Sequence, residues 1–350
     1  MKLFLRFIIT CLLTVGITLT LFSQNKLVKV EKEKDGNKIN VFIGEKLFTS
    51  FLYPDTLEKP VLYPIHAANG TDITRGFPFN PKKGDPTDHP HHIGLWFNFE
   101  NVNGLDFWNN SYNIAKEKKN LYGWIKTDRI LDTKSGSKGM FSYHANWTNQ
   151  QNDVLLEEIT QYEFSGNDHL RIIDRITTLK ANTEVLFKDA KDGMLGLRVA
   201  HELQIPTTQE KKFTDDKGNE TLVKISDSIA SGNYITSEGK SGDAAWSTRA
   251  AWCKLYGKMG NDSISVVIID HPKNLNYPTF WHARGYGLFA ANPLGEKIFT
   301  NGKAETNLTL RKGETVTFRF RVVIGNGKKT ISDQQLNEMA KAFGGSSSEQ

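Results

Sequence analysis

The residues best able to do chemistry crowd the stretch from Asp85 to Trp108. There His89, His91 and His92, three of the chain's nine histidines, stand beside Asp88 and ahead of an apolar run. Imidazole titrates near neutrality, so the cluster suits proton transfer with a carboxylate to orient a ring. A His-x-His pair on one face of an extended segment also supplies two nitrogen ligands to a metal, and His66, His201, His271 or His282 would have to add a third. Loop histidines that satisfy nearby carbonyls are the plainest account. No local spacing completes a metal site, so neither a metal ligand nor a cofactor is assigned.

Backbone periodicity sets the expected directions. Pro90 fixes its own φ and favours an extended His89, which predicts His89 and His91 on one side and His92 on the other. From His92 onward the alternation puts Ile93, Leu95, Phe97 and Phe99 on one strand face and His92, Gly94, Trp96 and Asn98 on the other. The first set reads as core. The second gathers an imidazole, an indole and an amide around a glycine, a surface suited to a polar ligand with carbon faces.

Three further segments carry polar groups. His66 and Arg75 flank turns around Pro64, Gly76 and Pro78, and either serve those turns or come to the same mouth, Arg75 then binding an anionic or hydroxyl-rich group. Between Asp192 and Glu202, Arg198 shares a face with Gly196 and Ala200, while His201 lies with Leu197 and Val199 and reads as core unless that face lines a pocket. Asp270 to Arg284 holds Asp270, His271, Tyr277, Trp281, His282 and Arg284 just after a hydrophobic strand, where loops often carry function. Trp281 and Tyr277 suit the C–H face of a sugar. Asp270 and His271 are adjacent, so on a continuing strand they cannot face each other.

The elements that must position these groups are strands. Alternating runs recur at Ile39–Ile43, Leu47–Leu52, Val61–His66, His92–Phe99, Met140–Trp147, Val154–Phe164, Leu170–Leu179, Leu195–Leu203, Ala251–Tyr256, Ile264–Asp270, Gly287–Ala291 and Thr315–Ile324. Their spacing predicts an all-β fold, a large antiparallel β-sandwich of the supersandwich kind, as a single domain over residues 24–345. In Met140–Trp147 the alternation turns His144 towards solvent or a groove. Thr207–Ser247 is polar and aperiodic and reads as an excursion with a hairpin around Asp216-Lys217-Gly218-Asn219. One helix is signalled at the end, by a Ser332-x-x-Gln335 box, the stripe Leu336, Met339, Ala340 and Phe343, and Gly344 as its stop, followed by a disordered tail over residues 346–350.

Residues 1–23 read as a signal peptide: Lys2 and Arg6, an apolar stretch broken by threonines, then Ser23. Export to the periplasm or outside the cell is the expectation, without membrane insertion after removal of that segment. Its loss would take the net charge from +5 to +3, because Lys2 and Arg6 leave and no acid does. With no basic stripe standing out, nucleic acid is not an expected partner. Cys253 would remain as the mature chain's one cysteine, which excludes an internal disulfide. Nothing in the sequence sets an oligomeric state.

Asp88 to Phe97, Val102 to Trp108, Gly193 to Ala200, Asp270-His271-Pro272 and Trp281 to Pro293 together resemble the bacterial family that carries the name methane oxygenase PmoA. The resemblance runs through most of the chain and implies an exported β-rich protein of glycan-degrading bacteria. More loosely, His-rich loops on a β scaffold are similar to the galactose-mutarotase-like supersandwich. The expectation is a carbohydrate-active enzyme on a small-molecule or oligosaccharide substrate, with His91 as base or acid, His282 opposite, and Asp88 or Asp270 orienting a ring; His89 and His271 complete the catalytic candidates. His66, Arg75, His92, Trp96, Trp108, His201, Trp281 and Arg284 are the substrate-binding candidates. A non-catalytic glycan-binding protein and a metal-dependent hydrolase or oxygenase are the alternatives.

Overall fold

The computed structural model describes residues 26–34, 36–82, 85–207, 211–214, 220–223 and 229–345. The expected signal peptide, the tail and the tip of the expected hairpin lie outside the described residues. Strands come first: β1 (Val28–Lys32), β2 (Lys38–Ile43), β3 (Lys46–Leu52), β4 (Val61–Ile65) and β5 (Leu95–Phe99). A meander follows of β6 (Trp124–Lys134), β7 (Gly139–Thr148), β8 (Val154–Gly166) and β9 (Leu170–Ala181). The chain continues through β10 (Val185–Phe187), β11 (Gly193–Arg198), β12 (Lys211–Thr214), β13 (Glu220–Val223) and β14 (Asn233–Thr236). The last strands are β15 (Trp252–Met259), β16 (Asp262–Asp270), β17 (Phe280–Ala283), β18 (Leu288–Asn292), β19 (Leu308–Leu310) and β20 (Thr315–Gly327). The α-helices among the described residues are α1 (Glu296–Phe299) and α2 (Asp333–Gly345).

Two eight-stranded sheets dominate, in the orders β1-β2-β3-β4-β5-β11-β18-β17 and β14-β15-β16-β20-β9-β8-β7-β6. All their pairings are antiparallel. Their inner faces meet in one apolar core: Phe51 of the first sheet lies 5.0 Å from Phe141 and 4.7 Å from Tyr143 of the second, ring centre to ring centre. This is the expected antiparallel β-sandwich. Each of the twelve alternating runs overlaps a strand, because period-two burial is what a strand with one wet face requires. The excursion holds the antiparallel pair β12–β13 that flanks the expected hairpin tip, and it also supplies β14, the edge of the second sheet. His144 departs from expectation: it is buried on β7, with Nδ1 3.2 Å from an Asp128 carboxylate oxygen on the neighbouring strand.

A polar knot crosses the core. Glu158 on β8 accepts hydrogen bonds from Tyr143 (2.7 Å), Trp147 (2.8 Å), Thr160 (2.7 Å) and Arg175 Nη2 (2.7 Å). Arg175 in turn lies over the ring of Phe97 on β5, 4.6 Å from its centre. The buried charges are paired and hydrogen-bonded, which offsets their desolvation. At the other face of the second sheet, α2 forms the expected box, with Gln335 N donating to Ser332 Oγ (3.3 Å) and Ser332 N to Gln335 Oε1 (3.0 Å). Leu336 and Phe343 are buried there against Trp252, Val267 and Ile269. Gly344 lies inside the last turn rather than beyond it.

Candidate functional site

The outer face of the first sheet carries the site. Register aligns Val61, Trp96, Gly196, Ala290 and His282 in one row across β4, β5, β11, β18 and β17, so all five share a face. Phe97, Leu195, Ala291 and Trp281 form the neighbouring row and face the core. A floor of glycine and alanine between Trp96 and His282 lets the Trp96 and Trp108 indoles lie close against the sheet. A Cβ on Gly196 would come within 2.5 Å of the Trp96 indole and 2.8 Å of the Trp108 indole.

Over this floor hangs the histidine turn. It is not the extended strand that the alternation predicts: His89 takes φ 49°, Gly94 takes φ 53°, and His92 N donates to the His89 carbonyl at 3.0 Å. The strand begins only at Leu95. Gly94 is required because a Cβ there would meet the Leu62 carbonyl oxygen at 2.0 Å. The reversal carries Ile93 into a cluster with Trp96 and Trp108 rather than onto the core face. It also stacks the rings of His89, His92 and Trp96 in sequence, with centres 4.8 and 5.1 Å apart and planes within 18°.

Two buried arginines shape the turn. Arg75 gives Nη1 to the carbonyl of Asp88 (2.7 Å) and Nη2 to those of His89 (2.8 Å) and His92 (3.0 Å). It therefore holds the loop, with both terminal nitrogens engaged by the turn. Arg198 gives Nη2 to both Asp88 carboxylate oxygens (3.0 and 3.3 Å) and Nη1 to His92 Nδ1 (3.2 Å). Burial alone would raise the Asp88 pKa, but Arg198, His89 and Arg75 outweigh it and hold the carboxyl well below its ordinary range. Asp88 Oδ1 also accepts from Arg75 Nη1 (3.2 Å), and Oδ2 meets His89 Nδ1. An ionised acceptor places a proton on His89 Nδ1 and leaves Nε2 pointing away from the carboxylate.

His91 and His92 are buried beneath this pair. Their Nε2 atoms, with Trp96 Nε1 and Asn98 Oδ1, meet no hydrogen-bond partner among the described residues. Lys59, buried beside them, donates to the His91 carbonyl (2.8 Å) and lies 5.7 Å from the centre of the Trp96 ring, and burial pushes its amine down to about 8. On the far side of the floor, His282 Nδ1 lies 3.4 Å from Asp192 Oδ1. Burial, ahead of the neighbouring carboxylate of Glu100, pushes Asp192 up to about 6. Trp246 packs edge-on to His282 at 4.6 Å, Arg284 sits 4.5 Å over Trp246 and 5.8 Å from the Tyr286 ring, and Tyr286 stacks on His89 at 5.4 Å. A rim of rings and cations thus runs from Trp96 round to His282. A cleft of about 400 Å³ opens beside Trp246, Arg284 and Tyr286.

The structure therefore brings together Asp88, His89, His91, His92, Trp96, Trp108, His282 and Arg284. Arg75 is present as loop support. Trp281 is a correction: strand alternation turns it into the core, where Nε1 donates to Ala250 O at 3.1 Å. Asp270 and His271 are corrections too, since they end β16 in the other sheet. Asp270 accepts from His271 N, Asn274 Nδ2 and Thr279 N, and His271 meets Phe343 of α2 edge-on at 4.9 Å. His66 sits in a bridge with Asp72, five residues along β4 from the Val61–Trp96 pair, roughly 16 Å away. His201 has left the strand for the short turn His201–Leu203. Sequence reasoning did not single out Lys59, Asp192, Trp246 or Tyr286, and it noted Arg198 only for sharing the Gly196 face.

A metal does not fit this arrangement. Among the described residues no three His, Cys, Asp or Glu side chains converge on one point, and two buried guanidinium groups already neutralise the Asp88 carboxylate. Nor is any helix among the described residues long and apolar enough to cross a membrane.

A family model matches residues 38–341. The chain belongs to the Family of unknown function (DUF6807). No curated protein matches this DUF6807 chain. Among solved structures, it is similar to a chain from the human microbiome given the name kojibiose phosphorylase, at 9% identity and TM-score 0.30, over 92% of this chain and 36% of that one. It thus spans about a third of that protein's length. It is also similar to galactose mutarotase-like proteins from Lactobacillus casei (12% identity, TM-score 0.34, 85% and 99% covered) and Clostridium acetobutylicum (11%, 0.34, 87% and 99%). Likenesses at this level carry no reading of the reaction, which has to come from the site itself.

Proposed function

We propose that this chain is an exported carbohydrate-active enzyme that works by general acid–base catalysis at the outer face of the first sheet. The observation that carries the reading is the Asp88–His89 pair: a carboxylate kept ionised by two arginines, an imidazole aligned by it, and a free Nε2 at the edge of an aromatic floor. In this reading His89 Nε2 takes a proton from a sugar carbon or hydroxyl, and Asp88 stabilises the imidazolium that forms. Asp192, still partly protonated near neutrality, returns a proton on the opposite side with His282 beside it. Arg284 faces oxygen on which negative charge develops. Trp246 and Tyr286, partly exposed beside the cleft, offer the carbon faces that a pyranose packs against, while Trp96 and Trp108 are buried and support the histidine turn. Isomerisation, elimination and hydrolysis all fit this pair of proton transfers.

Export rests on the basic start at Lys2 and Arg6 and the apolar stretch after it. The resemblance to the family named methane oxygenase PmoA suggests oxidation at a metal, and no step here is routed through one. The test is incubation with a panel of sugars, glycosides and oligosaccharides, with products detected by mass. His89→Gln and Asp88→Asn are expected to lower kcat by about 10²–10⁴-fold while leaving sugar binding measurable. Wild-type protein that binds sugars saturably without turnover is a non-catalytic glycan binder, and that result overturns the enzyme assignment.

A further inference from the structure

The cleft of about 400 Å³ beside Trp246, Arg284 and Tyr286 is built around a cation. Alternation past the end of β17 turns Ala283 into the core and leaves Arg284 on the outer face, two positions beyond His282. The β17–β18 hairpin fixes it there: Arg284 N donates to Leu288 O (2.8 Å), and Arg284 O accepts from Gly287 N (2.9 Å) and from the Tyr234 hydroxyl (3.4 Å). The side chain is only partly exposed and lies 4.5 Å over the Trp246 ring, yet among the described residues its guanidinium has no hydrogen-bond or ion-pair partner. By contrast, Arg198 is paired with Asp88 and Arg249 with Glu296. Asp243 lines the same cleft, but it is exposed and makes no ion pair with Arg284.

A half-buried guanidinium covered on one side by an indole keeps its N–H edge for an acceptor, and the two oxygens of a carboxylate match that edge. Burial pushes the Tyr286 hydroxyl up to about 12, so a second donor stands protonated beside it, on a ring 5.8 Å from Arg284. We propose that this cleft seats the carboxylate of an acidic sugar, held by Arg284 and Tyr286, so that the substrate class is a uronic acid or a glycan ending in one. The inference rests on the sugar-directed reading above and deepens it; the carboxylate is the part that Arg284 adds. A neutral hexose presents only hydroxyls, which leave the charge of the arginine uncompensated once water is displaced. The volume suits a single ring, since small-molecule sites begin at roughly 300 Å³. The carboxylate also agrees with the role given to Arg284 above. When a proton leaves the ring carbon beside a carboxylate for His89, the electron pair left behind spreads onto the oxygens that Arg284 holds.

The test is calorimetric titration of His89→Gln protein, in which turnover does not remove the ligand, at low salt. The ligands are the methyl glycosides of glucuronate, galacturonate and mannuronate and of the matching neutral hexoses. At least one uronate is expected to bind about tenfold tighter than its neutral partner, the size of one charge-assisted contact. Adding Arg284→Gln is expected to bring that ratio to about one. The methyl ester of the same uronate removes the charge without altering the protein and is expected to lose the advantage as well. Equal affinity for acidic and neutral sugars, or an advantage that survives Arg284→Gln or esterification, overturns the carboxylate site and leaves the sugar-directed reading standing. A hexose 6-phosphate that binds more tightly than every uronate identifies a tetrahedral anion and overturns it likewise. Absence of binding by acidic and neutral sugars alike overturns both.

Discussion

Arg198 Nη2 lies 3.0 Å from Asp88 Oδ1, although 110 residues separate the two in the chain. Through that contact a strand in the middle of the first sheet fixes the charge of a carboxylate in a distant turn, and the turn in its place. Arg75 holds the same turn from the other side by its carbonyls. Both arginines thus pair with the Asp88 carboxylate, and Arg75 alone also binds the carbonyls of the turn.

The carbonyl contacts of Arg75 predict a large loss of stability on its replacement. Arg75→Met strips four loop carbonyls and a carboxylate of their donor inside the protein, which is expected to cost about 3–5 kcal/mol, measured by urea denaturation. Arg75→Lys is expected to rescue little of this, because an ammonium cannot reproduce the planar fork. A Lys variant of wild-type stability would show that the fork geometry is immaterial.

Acid should unfold the protein before its carboxylates are all protonated. His91, His92 and His282 are held well below the ordinary imidazole value, first by burial and then by their neighbours, Lys59 for His91, His91 for His92 and Lys191 for His282. The unfolded chain takes up these protons below pH 6.5 and the native state does not, so their contribution is complete above 6.5 and is lost as pH falls. Each histidine adds a slope of about 1.4 kcal/mol per pH unit. Asp192, raised to about 6, works the other way, since its native carboxyl keeps a proton that the unfolded chain releases above 3.8. Asp270, pushed by burial up to about 7, acts in the same direction as Asp192, and the three histidines outweigh these two aspartates. Thermal midpoints recorded from pH 7 down to 5 are expected to fall, and to fall more steeply in Asp192→Asn; a flat profile contradicts the buried neutral histidines.

Gly196→Ala is expected to damage the site more than the fold. The added methyl meets two buried indoles at 2.5 and 2.8 Å, neither with a flexible end to yield, and overpacking of this kind costs about 1–3 kcal/mol. Tryptophan fluorescence should shift and sugar affinity should drop while cooperative unfolding persists. Unchanged fluorescence and affinity would show that the floor is looser than these distances imply.

The knot around Glu158 yields a contrast between single and double replacement. Glu158→Gln or Arg175→Met alone leaves an uncompensated buried charge and is expected to cost about 3–5 kcal/mol, whereas replacing both by apolar residues of similar volume is expected to be close to neutral. Chemical denaturation of the three variants measures the coupling. Additive losses would mean that the ion pair is not what the surrounding hydroxyls serve.

The sandwich was legible because a strand with one dry face writes its burial into every second residue, as Ile39, Val41 and Ile43 of β2 do, and because Leu95, Phe97 and Phe99 alternate in type. The same rule put Trp96 and Asn98 on the ligand face. It failed one turn earlier, where His89 adopts a left-handed conformation that alternation cannot signal and the chain reverses before Gly94. Trp281 was misjudged for a related reason: composition marks an aromatic residue as a sugar platform, but only the register, which pairs it with Ala291, says which side it faces. Lys59, Asp192, Trp246 and Tyr286 join the site through contacts between segments far apart in sequence. No local pattern records such contacts.

The row from Val61 to His282 has a consequence for how the protein assembles. It takes one residue from each of five strands, and β11 enters between β5 and β18 only after the four strands β6–β9 of the other sheet have been made. The β6–β9 meander is local and can form early, yet it contributes no member of that row. The candidate site is therefore completed late and all at once. A nascent chain released before β18 carries the histidine turn without its floor, and any event that frees β11 dismantles every part of the site together.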